Sequence, residues 1–243
     1  MKLAVLIPAR NEGPRIGRIL REVQQTFPEA ARIVVNSASS DNTVEVALQQ
    51  GAEVIDQGCP GYAGALAVGY RHCIQRPYEA VLQIDGDGQH PPNAGHRLLQ
   101  GLENADWVIG SRAGTDSPSP LPRRAARQIL ALAVRSSTGQ QLGDVTSGYW
   151  ALNRTALEAF ARYFPTDVAD ANIRVLARRV GLEIKEVPVE MASRLDGTSM
   201  HGGLSGIRNL GRSLWALRRE SLWLPNDTGP TQNSLSAEQS ATL

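Results

Sequence analysis

Ala80-Val81-Leu82-Gln83-Ile84-Asp85-Gly86-Asp87-Gly88-Gln89-His90-Pro91-Pro92 joins a short apolar run directly to a polar cluster. Ala80–Ile84 has the length and composition of a buried strand, and it ends at Asp85. Runs of the same kind lie on either side of it: Leu3–Ile7, Arg32–Val35, Glu53–Asp56 and Trp107–Gly110. Helical segments separate them, at Pro14–Thr26, Val44–Gln50, Gly61–His72 and Ala94–Glu103. Pro14 suits the first turn of its helix, and Ser39-Ser40-Asp41-Asn42-Thr43 carries helix-capping residues. This alternation predicts an α/β fold with a mostly parallel central sheet flanked by helices. Ligands of such sheets bind outside the carboxyl ends of the strands, so the polar segments after Ile7, Val35, Ile84 and Ile109 should crowd one edge.

Beyond the fifth strand, Ala113–Pro122 is rich in Ser, Pro and Gly and reads as a loop or lid. Leu121–Thr138 reads as a basic helix, Val145–Leu152 as a strand, Val168–Val180 as a helix, Ile184–Val189 as a strand and Leu204–Leu222 as a helix. From Pro225 to Leu243 the composition is polar, and a disordered tail is expected. The domain organisation expected is one catalytic-size unit over 1–203, an amphipathic helix over 204–224 and a tail over 225–243.

The chain has 243 residues, enough for one sizeable α/β domain. A net charge of +1 gives no global attraction to nucleic acid. The two cysteines, Cys59 and Cys73, make neither a disulfide framework nor a zinc motif, and a reducing cytoplasm is the expected compartment. No run approaches the roughly 18–20 apolar residues of a membrane span.

Asp85 and Asp87 stand two apart across a glycine at the end of a strand. In extended backbone such residues face the same side, so both carboxylates can approach one cation. Oxygen ligands suit Mg²⁺ or Mn²⁺, and such an ion bridges diphosphates. An isolated Asp-Gly-Asp is equally an ordinary turn, but its place after a buried strand and before Gln89-His90-Pro91-Pro92 favours a site.

Asp85–Pro92 resembles the D-x-D-x-Q-H-P-P stretch of family 2 glycosyltransferases, in the branch with dolichol-phosphate mannose synthases and bacterial polyprenyl-phosphate glycosyltransferases. Further segments resemble that family in its own order: Ile7–Glu12, Val34–Thr43, Gly61–Leu66, Val108–Arg112, Asp144–Arg154 and Glu186–Met200. The resemblance implies a GT-A fold and an inverting hexose transfer from a nucleotide-diphosphate sugar, a UDP-sugar first and GDP-mannose next, to a polyprenyl-phosphate or other lipid or glycan acceptor. It places the metal on Asp87 and Gln89, with Asp85 and Gly86 against ribose and phosphates. Pro8, Arg10, Glu12, Val35 and Ser37 fall where the family cradles base and ribose. Arg112 and Arg194 fall where it pairs with phosphates, and Arg194 and Ser199 form an acceptor-side loop; guanidinium suits phosphate because it is always charged and binds in two-point fashion.

The chain departs from the family pattern in four places. Asn36 and Ser37 stand where paired acids are usual, Arg10 replaces an aromatic residue, Trp150 stands where arginine is frequent, and Met200 where mannose synthases carry lysine. Loss of the acid pair motivates a rival reading as a non-catalytic binder of nucleotide sugars. A nucleotidyltransferase would need a Gly-rich triphosphate loop that Pro8–Arg15 lacks, and Gly58, Gly61 and Gly64 do not give a dinucleotide fingerprint. A lipid-phosphate acceptor needs no general base. A hydroxyl acceptor does, and then Asp170 is the first candidate and Asp144 the second; Asp170 reads equally as a helix-capping residue. His90 and His201 read as polar loop residues. Leu204–Arg219 has apolar residues at helical spacing with four arginines, and Trp215 and Trp223 suit a membrane interface. The same helix reads otherwise as a terminal helix packed on the domain or as a homodimer contact. A peripheral position at the inner face of the membrane is the expectation that goes with lipid binding.

Overall fold

The structure, a computed structural model, describes residues 1–113, 121–191 and 204–222, and the backbone alone at 121–123 and 204–207. The acceptor-loop residues Arg194 and Ser199, together with Met200, His201, Trp223 and the tail, lie outside the described residues.

The strands are β1 (Leu3–Ala9), β2 (Ala31–Asn36), β3 (Glu53–Asp56), β4 (Ala80–Gln83), β5 (Trp107–Ser111), β6 (Trp150–Asn153) and β7 (Ile184–Pro188). They form one sheet in the order β3-β2-β1-β4-β6-β5-β7. All neighbours pair in parallel except β6, which runs antiparallel to both β4 and β5. The sequence rhythm led to the parallel strands and not to this reversal, which brings the residues before β6 to the carboxyl ends of its neighbours.

Helices cover both faces: α1 (Gly13–Thr26), α2 (Thr43–Gln49), α3 (Tyr62–Ile74), α4 (Gly95–Gly101), α5 (Leu121–Thr138), α6 (Arg154–Tyr163), α7 (Asn172–Arg179) and α8 (Leu204–Leu222). Burial on both faces explains why β1 is apolar throughout rather than alternating. Its Leu3, Val5 and Ile7 pack with Ile16, Leu20 and Val23 of α1, whereas Ala4 and Leu6 pack on the opposite face with Leu66 and Tyr70 of α3. A third cluster joins Leu130 and Val134 of α5, Val175 of α7 and Leu217 of α8.

Three elements differ from the sequence expectation for local reasons. The strand expected over Val145–Leu152 is confined to β6, because Thr146 N–H bonds to Asp144 Oδ1 at 3.2 Å and Tyr149 N–H to Ser147 Oγ at 3.2 Å. Such side-chain bonds divert the backbone from a ladder. α7 begins at Asn172 rather than Val168, since Asp170 N–H bonds to Asn172 Oδ1 at 2.9 Å in a turn before the helix. α6 was not anticipated; Asn153 caps it by accepting the Ala156 N–H at 2.9 Å.

Candidate functional site

The strand order changes direction between β1 and β4, which is where a crevice opens at the carboxyl edge of an open α/β sheet. Asp85, Gly86 and Asp87 emerge from β4 into this crevice. A methyl at Gly86 would come 3.1 Å from the Pro8 carbonyl oxygen and 3.4 Å from Glu12 Cγ, so glycine lets the β4 turn pass closely behind the β1 loop.

The β1 loop is laced to the loop after β2. Asn11 N–H bonds to Ser39 Oγ at 3.0 Å, Glu12 N–H to Thr43 Oγ1 at 2.8 Å and Gly13 N–H to Asp41 Oδ2 at 3.0 Å. Asn11 and Ala38 take left-handed backbone, φ 56° and 53°, a conformation uncommon outside glycine and unusual for alanine in particular. Arg10 is exposed at this edge, and Glu12 carries an ion pair to Arg15 at 2.8 Å. Pro8 is buried. Val35, expected to line the base and ribose, has its side chain enclosed in the core on the α3 side and presents no side-chain surface to the crevice. Ser37 is also buried: its hydroxyl accepts the Gly61 N–H at 2.8 Å and reaches the Cys59 carbonyl at 3.4 Å, fixing the loop before α3.

Asp85 is held by two residues, Tyr62 and His90. Tyr62 O–H donates to Oδ1 at 2.9 Å, the Asp85 N–H donates to His90 Nδ1 at 3.0 Å, and His90 Nε2 stands 3.8 Å from Oδ2. Nδ1 as acceptor leaves the ring proton on Nε2, facing the carboxylate. His90 is buried and stacks on Tyr149, with centroids 4.9 Å apart and planes 10° apart. It thus builds the site, where its sequence context read as a loop. Burial pushes the Asp85 carboxyl above the usual carboxylate range; His90 pulls it back and Asp87 adds to the rise.

Beneath Asp85 lies a polar chain inside the sheet. Tyr70 O–H donates to Gln83 Oε1, and Gln83 Nε2 donates to Tyr62 Oη at 3.2 Å and to the Gly148 carbonyl at 2.9 Å. Gln83 is fully buried in an otherwise apolar strand. That anomaly is the sequence signal for the network; Tyr62 and Gly148 lie within the Gly61–Leu66 and Asp144–Arg154 segments, where nothing local marks their contact with Asp85.

Asp87 and Gln89 meet on the same turn. Gln89 N–H bonds to Asp87 Oδ1 at 3.1 Å and Gln89 Nε2 to Asp87 Oδ2 at 2.5 Å. Among the described residues no group of three or more His, Cys, Asp and Glu side chains could hold a metal ion. Two carboxylates and an amide oxygen are nevertheless the hard, sparse donor set with which Mg²⁺ or Mn²⁺ binds when substrate oxygens and waters complete the shell.

At the end of β5, Arg112 binds Asp144 through Nε–Oδ2 at 2.6 Å and Nη2–Oδ1 at 3.1 Å. Glu186 of β7 accepts the Gly143 and Asp144 amides at 2.6 and 2.8 Å. Burial alone would raise the Asp144 carboxyl, but Arg112 and Thr146 outweigh it and hold it below the usual range. An ionised, doubly bonded carboxylate is a poor proton acceptor, so Asp144 serves as the anchor of Arg112 and not as a base. Asp170 caps no helix: α7 has no side-chain cap, and Asp170 Oδ2 accepts the hydroxyl of Ser213 from α8.

The glycosyl transferase family 2 model matches residues 4–160. An undecaprenyl-phosphate mannosyltransferase of Micrococcus luteus is 30% identical over 235 residues, covering 89% of this chain and 95% of that protein. A polyprenol monophosphomannose synthase of Mycolicibacterium smegmatis is 28% identical over 222 residues, covering 84% and 82%. Among solved structures, mannosyl-3-phosphoglycerate synthase from Rubrobacter xylanophilus shares the fold with a TM-score of 0.67 at 20% identity, covering 90% of this chain and 72% of that one. Glucosyl-3-phosphoglycerate synthase from Mycobacterium tuberculosis, solved with Mn²⁺, UDP and its product, shares it with a TM-score of 0.65 at 22% identity, covering 93% and 81%. With an Asp-x-Asp turn at the switch point of a GT-A sheet and these relatives, the chain belongs to glycosyl transferase family 2, is a glycosyltransferase, and falls in the branch of dolichol-phosphate mannose synthases and polyprenyl-phosphate glycosyltransferases.

Proposed function

We propose that the chain transfers a hexose, with inversion, from a nucleotide-diphosphate sugar to a polyprenyl-phosphate. The observation that carries this reading is the fixed Asp85 carboxylate beside Asp87 and Gln89 in the β1–β4 crevice, with Arg112 at the neighbouring strand end. Asp85 and Gly86 face ribose and phosphates, Arg10 and Glu12 border the nucleoside, and Arg112 adds positive charge on the leaving side. Asp87 and Gln89 would hold Mg²⁺ or Mn²⁺, which when bound neutralises charge on the departing diphosphate. Arg194 and Ser199 carry the acceptor side of the proposal on sequence grounds alone. A lipid phosphate arrives already ionised, so displacement needs no side-chain base. A hydroxyl acceptor would require Asp170, and Ser213 would first have to release that carboxylate.

A UDP-sugar is the donor proposed first, supported by the fold's occurrence with UDP and Mn²⁺ in the M. tuberculosis enzyme. GDP-mannose is second, supported by the mannosyl names of the two relatives. The test is a donor panel with Mn²⁺ and undecaprenyl phosphate: one donor should release its nucleoside diphosphate only when both are present. Binding with no turnover on any acceptor would replace this reading with that of a non-catalytic binder.

No helix among the described residues is long and apolar enough to cross a membrane. We propose that the paired helices α5 and α8 rest on the cytoplasmic membrane surface instead. Leu132 is 64% exposed, Trp215 58% and Leu222 73%, with Arg208 and Arg218 exposed nearby in sequence. Arg212 and Arg219 are committed to Asp167, through its carbonyl at 2.8 Å and its carboxylate at 2.5 Å, so the membrane charge falls to the other two. Replacing Arg208 and Arg218 should therefore reduce sedimentation with anionic liposomes. Unchanged sedimentation would count against the contact.

A further inference from the structure

Arg174 lies in the middle of α7 and is 1% exposed. Its guanidinium carbon sits 5.2 Å from the ring of Trp107 and 5.4 Å from that of Trp150. Nη2 donates to the Ser147 carbonyl at 2.7 Å and Nη1 to the Asp170 carbonyl at 3.2 Å. Its Nε–H has no hydrogen-bond acceptor among the described residues, and both of its hydrogen bonds go to backbone carbonyls. Burial lowers its pKa to about 10, while Asp144, Asp170, Glu186 and Tyr62 oppose that fall through space, so it stays protonated at neutral pH. A buried cation without a carboxylate in contact is costly to the fold.

The Ser147 carbonyl it holds lies one residue from the site. Trp150 Nε1 also donates to the Ser147 carbonyl, at 2.5 Å, so a helix residue and a strand residue converge on one oxygen. The next residue, Gly148, abuts Asp85 so closely that a methyl there would meet Tyr62 Oη at 2.7 Å and Asp85 Oδ2 at 3.2 Å. Gln83 holds the Gly148 carbonyl from the other side at 2.9 Å.

We propose that Arg174 is a positioning residue that sets the Ser147–Gly148 peptide against Asp85 and Tyr62, so that nucleotide binding depends on a side chain enclosed behind the site. This rests on the donor-site reading above. The guanidinium suits the task because it is weakly hydrated, stacks on indole faces and reaches two carbonyls from one planar group.

The test compares wild type with Arg174→Met and Arg174→Lys by calorimetric titration with UDP and GDP in Mn²⁺, by melting without nucleotide, and by amide exchange. Arg174→Met should bind the preferred nucleotide at least about tenfold more weakly, the scale of losing a hydrogen bond to a charged group. Its melting temperature without nucleotide should fall only slightly, since Trp150 still satisfies the Ser147 carbonyl and the lost hydrogen bonds are offset by removal of an incompletely paired buried charge. Exchange at the amides of 147–149 should quicken without a general increase. Arg174→Lys, which keeps the charge but not the two-carbonyl reach, should fall between, and it carries the test should the methionine variant not fold. A merely structural role predicts the reverse pattern, with much lower melting and unchanged affinity. Wild type that binds while both variants bind equally well overturns this proposal alone. Wild type that binds neither nucleotide overturns the donor-site reading and this proposal with it.

Discussion

Gly148→Ala adds one methyl where the site has least room. The backbone at Gly148 is not left-handed, so alanine brings no conformational penalty of its own and the effect is steric. The new carbon would lie 2.7 Å from Tyr62 Oη, and 3.2 and 3.4 Å from the two Asp85 carboxylate oxygens. Tyr62 is 40% exposed and can swing outward, which should limit the stability loss to about 1 kcal/mol, the low end for overpacking. The swing removes the 2.9 Å hydrogen bond from Tyr62 to Asp85. A hydrogen bond to a charged group contributes about 1.5–3 kcal/mol, so nucleotide–Mn²⁺ affinity should fall about 10- to 150-fold. Titration calorimetry measures that loss, and Tyr62→Phe controls it by deleting the oxygen that the methyl meets. If Tyr62 is the group displaced, the double variant should bind no worse than Tyr62→Phe alone, a strong departure from additivity. A Gly148→Ala protein with wild-type affinity and wild-type kcat/KM would show that Asp85 is not held where the ligand sits.

Asp87→Ala should abolish the part of the nucleotide-induced rise in Tm that depends on Mn²⁺, by mass action, and leave the ligand-free Tm near wild type; a retained Mn²⁺-dependent rise refutes the metal assignment. Asp144→Asn should cost about 3 kcal/mol by urea unfolding, the low end for a broken buried pair, because Arg112 keeps 28% of its side-chain surface exposed. Since the Asp144 carboxyl is held below its unfolded value, that contribution is full above about pH 4 and is lost as pH falls through the folded pKa. Wild type and variant should therefore converge in stability on acidification, and a gap that does not narrow as pH falls below about 4 would contradict the pairing. Of the two thiols, exposed Cys59 should react with Ellman's reagent in the native protein, whereas buried Cys73, its pKa raised to about 12 by burial, should react only on unfolding. Prompt reaction of both would place Cys73 elsewhere.

The parallel half of the sheet was legible because its strands are short apolar runs covered on both faces, and each polar motif follows one directly. The antiparallel β6 was not, because Val145–Leu152 has the composition of a strand throughout. Only the side chains of Asp144 and Ser147, bonding to nearby amides, shorten it to Trp150–Asn153. The Asp85–Gln89 turn was legible from its context, with two carboxylates across a glycine placed directly after a buried strand and before His90-Pro91-Pro92. Its supports were hidden for the opposite reason. Tyr62, Tyr70 and Arg174 fit helices by spacing, and nothing local says that they reach Asp85, Gln83 and the Ser147 carbonyl. Ser37 shows a different limit: the sequence offers a hydroxyl where an acid is usual, but only the fold shows that hydroxyl spent on the Gly61 amide.

The buried polar chain also explains why the site cannot be understood from its surface residues alone. Gln83, Tyr70 and Arg174 sit among apolar neighbours, and leaving any of their partners unmade would cost about 1–3 kcal/mol. A core chosen for stability alone would place leucine or valine at Gln83, as the strand around it does. The retained amide joins three elements at one point: α3 through Tyr62 and Tyr70, β4 through its own backbone, and the β6 approach through Gly148. Each of these touches Asp85 or the peptide against it. Displacement of any one is therefore transmitted to the carboxylate by a bond about 3 Å long rather than absorbed by soft packing. Substitutions at Gln83 should accordingly perturb nucleotide affinity more than the deletion of an equally buried apolar group, and Gln83→Leu against Leu82→Ala is the comparison that separates the two. Leu82→Ala leaves a cavity and should lower Tm further, yet its folded molecules should bind nucleotide normally. If instead Gln83→Leu binds normally, the chain beneath Asp85 is a structural accident and the fixity of that carboxylate comes from its direct contacts with Tyr62 and His90.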